Sequence, residues 1–320
     1  GTTMDQLRAM RVFTRVIDEG SFAGAARAMN LAPAVVTRLV AELEEHLKAR
    51  LLHRTTRSLT LTEIGEAYLE RARRILAEVD EAELLTQSAT TEVRGHLRVL
   101  CPPALAVHQI ARHLPKFHQR YPQVYLELTS PGPIEDIDEN HDITIFWKRE
   151  LLDGDFIARR LARSEVVLVA SPEYLDARGR PQVPQDLKHH ATLVPPSVEL
   201  LREMPLQRGD PNNPEIVNLP IAPQRAALAT SHLDTNYAAA LHGLGIAGLP
   251  SFVCEEALLE HALERVLPQW RMQSFTLWAA MPTRKYVPAR TRAFLDFLVE
   301  IFGGEDKDPW LVAAGCETCD

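Results

Sequence analysis

Apolar positions in the N-terminal part of the chain fall into helical steps. Leu7, Met10, Phe13 and Ile17 recur at intervals of three and four, which predicts a helix from about Asp5 to Asp18, ended by Gly20. Ser21 is placed to cap a second helix, FAGAARAMN, on which Ala25, Ala26 and Met29 share a face. Asn30 and Leu31 form a turn. Pro33 then suits the first position of a third helix, where its missing N–H costs nothing. Along that helix Val36, Val40, Leu43 and Leu47 make a stripe for burial, with Ala34, Thr37, Arg38 and Ala41 on the opposite face. Arg54, Thr55 and Arg57 fall in a short loop before SLTLT, whose alternation predicts a small strand. Thr62 can cap a long helix from Glu63 to about Gln87. Its positions Ile64, Tyr68, Ala72, Ile75, Val79 and Ala82 make a seam for a partner helix, and Glu70 can pair with Arg73 and Arg74.

After the small, polar segment 88–95 the period changes. HLRVL, VYLELTS and HDITIFW read as strands, with a helix through IARHLPKFHQRYP between the first two. FIARRLARSEVVLVASPEYL reads as one or two more strands, AALAT as another, and SHLDTNYAAALHGLGIAGLP as a capped helix, a Gly-rich turn and a buried strand. SFTLWAAMP returns as a strand and PARTRAFLDFLVEIF closes the pattern as a helix. Strands alternating with helices predict an α/β domain. The stretch from Pro196 to Pro220 is rich in turn residues and loop-heavy, with no element assigned to it, and the residues after Gly303 read as a mobile tail.

A length of 320 residues predicts two or three domains, and 46% hydrophobic with 24% charged residues is ordinary for a soluble globular chain. Apolar runs are too short for a membrane helix, and no signal peptide is legible, so the default location is cytoplasmic. The net charge of −8 argues against nucleic acid until its distribution is read. Residues 4–62 hold nine basic and six acidic side chains, a net of +3, which leaves −11 on the rest. A basic head on an acidic body concentrates attraction for phosphate at one end. The exposed face of the third helix fits the same purpose. It is small near its start and carries a hydroxyl and a guanidinium, as a helix lying in a major groove requires. A basic loop after it can touch backbone or minor groove. The plainer reading of these residues is a helical hairpin with a solvated face.

MDQLRAMRVFTRVIDEGSF, GSFAGAARAMNLAPAVVTRLVAELEEHL and LLHRTTRSLTLTEIGEAYL together resemble the N-terminal domain of LysR-type transcriptional regulators. LRVLCPPALAVHQIARHLPKFHQRYPQVYLEL, LHGLGIAGLPSFV and TRAFLDFLVE resemble the same family's effector domain, which itself resembles periplasmic binding proteins. The resemblance implies an all-α winged helix-turn-helix over 4–62, a linker (dimerisation) helix over 63–90, an α/β two-lobed effector-binding domain over 94–303 and a tail over 304–320. Lobe I would take about 94–163 and 271–303, and lobe II about 164–270, with crossovers near Arg163 and Trp270. DNA-binding positions carried over with the residue reading are Ser21, Pro33, Ala34, Thr37, Arg38, Arg54, Thr55 and Arg57. Tyr68, Ala72, Ile75 and Val79 are the dimerisation positions. The family usually has a hydroxyl at the cap held here by Ala32 and often a small polar residue at Ala34, so readout shifts toward Thr37, Arg38 and the wing.

The same carry-over lines a cleft with Pro103, Ala104, Phe146, Trp147, Thr230, Ser231 and His232. The family often has a hydroxyl at the place of Ala104 and commonly Arg near Phe146. Their absence points to an aromatic or apolar effector, with a carboxylate meeting the helix start at Ser231. Against this, Phe146 and Trp147 can be plain core residues. Implied partners are double-stranded operator DNA, a small-molecule effector and further copies of the chain as homodimer and homotetramer. RNA polymerase is a further candidate, and no membrane partner is implied.

Other chemistry finds little support. Cys316 and Cys319 form a lone CxxC, Cys101 and Cys254 read as small buried hydrophobes, and His189 and His190 lack metal spacing. With no GxGxxG, phosphate loop or GxSxG, no cofactor and no enzymatic activity are expected. The rival to a regulator is a solute-binding module whose head no longer reads DNA, favoured by the missing hydroxyls at Ala32 and Ala34.

Overall fold

The computed structural model describes residues 4–54, 58–86, 92–130, 134, 137–148, 156–196, 203–220, 226–282 and 287–316. The chain divides into two compact units, Gly1–Thr91 and Glu92–Asp320.

In the first unit, α1 (Gln6–Glu19) is capped by Asp5 and stopped by Gly20 at φ 77°. Ser21 Oγ accepts the Gly24 amide at the start of α2 (Phe22–Met29), and Asn30 ends it in the left-handed region at φ 54°. α3 (Pro33–Leu47) follows, with Pro33 in its first turn and no side-chain cap from Ala32. Phe13 and Val16 of α1, Ala25 and Ala26 of α2, and Val36, Val40 and Leu43 of α3 share one core. Each large aliphatic or aromatic side chain buried there contributes about 1.5–3 kcal/mol. Leu7 departs from the expected stripe and is 41% exposed, while Ala9, Val12 and Val16 are buried. The helix turns Ala9, Val12, Phe13 and Val16 inward, with Met10 beside them.

β1 (Leu52–Arg54) and β2 (Leu59–Leu61) pair antiparallel as a wing. Thr62 Oγ1 accepts the Gly65 amide and opens α4 (Glu63–Thr86). Gly65 allows this entry, because a Cβ there would run into the Leu51 carbonyl. The expected seam of α4 is split. Ala72 and Leu76 are buried with Met10 of α1, and Tyr68 packs on the same cluster. Arg73 bonds Asp18, and Arg11 bonds Asp80, so ion pairs flank this packing and only Arg74 pairs with Glu70. Tyr68 and Ala72 therefore serve the head's own core. Ile64 and Ile75 stay 55% and 43% exposed, three helical turns apart on another face.

The second unit is built on a sheet of strand order β10-β7-β11-β6-β13-β5-β3-β4, with β12 also on β6. β3 (Gly95–Leu100), β4 (Val124–Thr129) and β5 (Ile143–Lys148) are parallel neighbours on one side. β7 (Thr192–Val194), β10 (Ala226–Ala229) and β11 (Ile246–Pro250) are parallel on the other. β6 (Phe156–Ala170) and β13 (Gln273–Pro282) join the two halves. β6 pairs with β13 up to Val166, and with β11 and β12 (Glu264–Val266) beyond it. The segment read as one or two strands is thus one strand of 15 residues. β13 runs back antiparallel between β5 and β6.

After β3 the chain makes a short helical turn, α5 (Pro103–Leu105), a π-helical turn over Ala106–Ile110, a 3-10 turn and then α6 (Leu114–Arg120). α7 (Pro172–Arg178) follows β6, and α8 (Leu233–Leu241) and α9 (Ser251–Leu259) flank β11. The turn-rich stretch holds a hairpin, to which its turn residues give no clear signal. β8 (Glu203–Arg208) pairs with β9 (Glu215–Pro220), and Met204, Leu206 and Leu219 alternate into the core.

Residues 304–316 are held in the fold, where a mobile tail was expected after Gly303, and 317–320 lie outside the described residues. α10 (Ala289–Phe302) ends at Gly303, after which the chain runs beside β6: Gly304 N donates to Leu161 O and Arg163 N donates to Lys307 O. Asp308, fully buried, accepts the Glu165 amide at 2.8 Å and the Ser251 hydroxyl at 2.7 Å, and caps α11 (Pro309–Ala313). Trp310 then packs edge-on against Phe252 and Phe302.

Candidate functional site

In the first unit Pro33, Ala34, Thr37 and Arg38 are all exposed on α3, as the opposite stripe is buried. Thr37 Oγ1 donates to Pro33 O at 3.2 Å. Arg38 is 61% exposed and held only loosely, 3.9 Å from Glu42. Arg54 projects from β1 beside this face. A crevice between α2, α3 and the wing is lined by Ser21, Phe22, Thr37, Arg54 and Ser58 among others. The structure thus gathers Ser21, Thr37 and Arg54 around one opening, with Ser21 spending its hydroxyl on the α2 cap. Thr55 and Arg57 lie outside the described residues.

In the second unit a cavity of about 210 Å³ is lined by Pro102, Pro103, Ala104, Ile134, Phe146, Trp147, Ser231, His232, Leu233 and Asp234. Six of the seven residues expected to line a cleft meet here. Each is delivered by an element end: Pro103 and Ala104 by the turn after β3, Phe146 and Trp147 by the last residues of β5, Ser231 and His232 by the entry to α8. Phe146 is 3% exposed, so it serves the core as well as the lining. Trp147 is half-buried, its ring backed by Phe252 at 5.7 Å and Phe275 at 5.4 Å.

Two expectations at α8 need correction. Thr230 is outside the lining, because its hydroxyl accepts the His232 amide and its carbonyl accepts Asn236 Nδ2. The helix cap is His232, whose Nδ1 accepts the Thr235 amide, so Ser231 stands just before the helix. Sequence reasoning missed Leu233 and Asp234, the first two residues of the same helix, which their nearness to Ser231 could have flagged. It missed Ile134 too, for which no local signal exists. Asp234 Oδ1 lies 2.6 Å from His108 Nε2, and the His108 ring meets Tyr237 edge-on at 5.0 Å. Burial, then nearby acids including Glu256, push the Tyr237 phenol up.

Elsewhere Cys101 and Cys254 are fully buried and burial pushes both thiols up, away from a reactive thiolate. Cys316 packs partly buried against the core, and Cys319 lies outside the described residues. His190 is buried with its Nδ1 3.0 Å from Tyr174 Oη. No group of three metal-ligating side chains occurs among the described residues, and no described helix is long and apolar enough to cross a membrane.

Residues 7–66 match the bacterial regulatory helix-turn-helix model of the lysR family, and residues 90–303 match the LysR substrate binding domain. The chain belongs to the LysR family. The regulator CrgA of Neisseria meningitidis serogroup C is 36% identical over 299 residues, covering 92% of this chain and 96% of that one. A transcriptional repressor of Pseudomonas aeruginosa is 32% identical over 305 residues, covering 93% of each. Among solved structures, full-length AphB, a virulence activator of Vibrio cholerae, superposes with a TM-score of 0.57 at 26% identity, covering 92% of this chain and 99% of that one. CrgA superposes at 0.56 with 33% identity, covering 92% and 98%. This LysR-family chain is a transcriptional regulator with a helix-turn-helix head and a two-lobed effector-binding unit.

Proposed function

We propose that the head reads operator DNA through α3 and the wing, and that a small aromatic or apolar carboxylate in the cavity between β5 and α8 controls it. The observation that carries the effector reading is the lining. Its polar side chains Ser231, His232 and Asp234 all come from the entry to α8, and Pro102, Pro103, Ala104, Ile134, Phe146 and Trp147 make the rest of the lining largely apolar. A cavity of about 210 Å³ lies below the usual ~300–1,000 Å³ of drug-sized sites, so the ligand is small. Its ring packs on Trp147, and its acid meets the positive first turn of α8 beside Ser231. Asp234 would repel that acid, but its carboxylate is engaged by His108.

On the DNA side, Ser21, Pro33, Ala34, Thr37, Arg38, Arg54, Thr55 and Arg57 are the contacting residues in this reading. Arg38 reaches base edges, and Ser21 with Arg54 reaches phosphate. Two heads on a homodimer take two half-sites, and pairing of dimers makes a tetramer. The dimer uses the part of α4 that its own unit leaves exposed, around Ile64 and Ile75, with half-buried Val79 one turn on. Ligand shifts the lobe arrangement only as far as its affinities for the two arrangements differ. The missing hydroxyls at Ala32 and Ala34 do not favour a silent head, since α2–α3 packing and an exposed Arg38 survive without them.

Calorimetry with small aromatic acids and their matched amides tests the effector reading. Ser231→Ala is expected to cost acids roughly 1.5–3 kcal/mol and amides little, and Trp147→Ala to weaken both. Tight binding of sugars or phosphates instead would exclude it.

A further inference from the structure

We infer that Glu44 is a positioning residue for DNA binding: it holds the wing guanidinium of Arg54 against the reading helix, ready for phosphate. This rests on the placement of Arg54 at the DNA surface. Glu44 lies on the buried side of α3 and its side chain is only 10% exposed. An acid in that position needs partners. Its Oε2 accepts the Leu51 amide at 2.8 Å, which fixes the chain where it enters β1. Its Oε1 accepts Arg54 Nη2 at 2.8 Å, three residues further on. On its other side, the Arg54 guanidinium lies 5.9 Å from the centroid of the Phe22 ring, at the first residue of α2. The wing cation is therefore bracketed by α3 and α2.

The arrangement has a chemical logic. A guanidinium carries five N–H donors in a rigid fork, so bonding one carboxylate oxygen through Nη2 leaves donors for a phosphate oxygen. A free arginine would lose rotamer freedom on binding, whereas one already held loses less. Glu44 also places a negative charge near the DNA backbone, which opposes binding. The two effects have opposite signs and depend differently on Arg54, which makes them separable.

A salt titration with a short labelled duplex of arbitrary sequence, using the full chain, is the test. Arg54→Ala is expected to lower affinity about three- to tenfold and to reduce the salt slope by about one phosphate contact. Glu44→Gln keeps an acceptor for the Leu51 amide and loses the charge on Arg54. It is expected to lower affinity about threefold in the parent and not at all in the Arg54→Ala background. A Glu44→Gln gain of equal size in both backgrounds would overturn the inference, leaving Glu44 as a repelling charge. An equal loss in both would also overturn it, since Glu44 would then act on α3 rather than through Arg54. Unfolding curves of each variant show whether the head stays intact. If Arg54→Ala changes neither affinity nor slope, the placement of Arg54 on DNA falls, and this inference with it.

Discussion

His108 Nε2 lies 2.6 Å from Asp234 Oδ1, and this contact joins the segment after β3 to the first turn of α8. Two further bonds run alongside it, from Gln109 Nε2 to Phe252 O at 2.8 Å and from Arg112 Nη1 to Glu255 at 3.1 Å. The π-helical turn and the 3-10 turn after it thus grip α8 and α9 through His108, Gln109 and Arg112. Replacing His108 by Phe frees the Asp234 carboxylate beside the cavity. Acids are expected to bind about tenfold more weakly while matched amides hold, the electrostatic cost of roughly 1–2 kcal/mol falling on the anion alone. Calorimetry on His108→Phe checks this, and an equal change for acid and amide would show that Asp234 does not face the ligand's charge.

Asp308 gives a pH signature. Burial pushes its carboxyl from the ordinary 3.8 up to about 6, against hydrogen bonds from the Glu165 amide and the Ser251 hydroxyl that pull it down. A carboxyl with a folded pKa above its unfolded one holds its proton more tightly when folded. Its contribution to stability is therefore greatest below 3.8 and declines as pH rises to about 6. Asp308→Asn lacks this slope. The stability difference between parent and variant is expected to shrink as pH rises across that window. Urea unfolding of both chains at several pH values reads it, and a constant difference would mean that Asp308 titrates as an ordinary carboxyl.

Arg38 is the test of reading. Its guanidinium is mostly solvent-exposed and only loosely tied to Glu42, so it can turn toward a base at little cost. Arg38→Ala is expected to lose about 1–3 kcal/mol on the operator and to relax sequence preference, with the head's stability unchanged. Binding to operator and unrelated duplexes, compared at one salt concentration, separates this from a phosphate contact, which would weaken both alike.

α4 offers a contrast within one helix. Ala72 is fully buried against Met10 and Leu76, whereas Ile75 is 43% exposed. Ala72→Asp buries an unpaired charge and is expected to unfold the head. Ile75→Asp should leave the head folded and abolish self-association through this helix. Circular dichroism with sizing distinguishes them, and an unchanged oligomer for Ile75→Asp would move the interface off α4.

The head was largely legible because its signals are local. Ser21, Asn30, Pro33 and Gly20 each act within one turn, and the α3 stripe points where the spacing says. Tyr68 and Ala72, expected on a seam for a partner helix, pack in the head's own core, because spacing reveals which residues need cover, not which neighbour supplies it. In the second unit, alternation marked most strands, but β8 and β9 sit among Pro, Asp and Asn and bury only alternate residues. Asp308 was opaque for another reason. Its stretch is charged and Gly-rich, which reads as solvent, and its partners Glu165 and Ser251 lie 143 and 57 residues away. The cavity residues of β5 and α8 came from resemblance alone, and Asp234 shows how much of the chemistry that route leaves out.

The run of residues 304–311 along β6 also sets an order of events during synthesis. The first unit has a core of its own, built from α1, α2 and α3, so the head can fold while the ribosome is still far from finished. The second unit cannot complete its sheet until β13 emerges to sit between β5 and β6, and the buried Glu165 amide waits longer still, for Asp308. A nascent chain therefore carries a formed DNA-reading head before its effector unit exists as a closed body. Translation stalled or cut short after Gly303 would release a head coupled to an unfinished sensor.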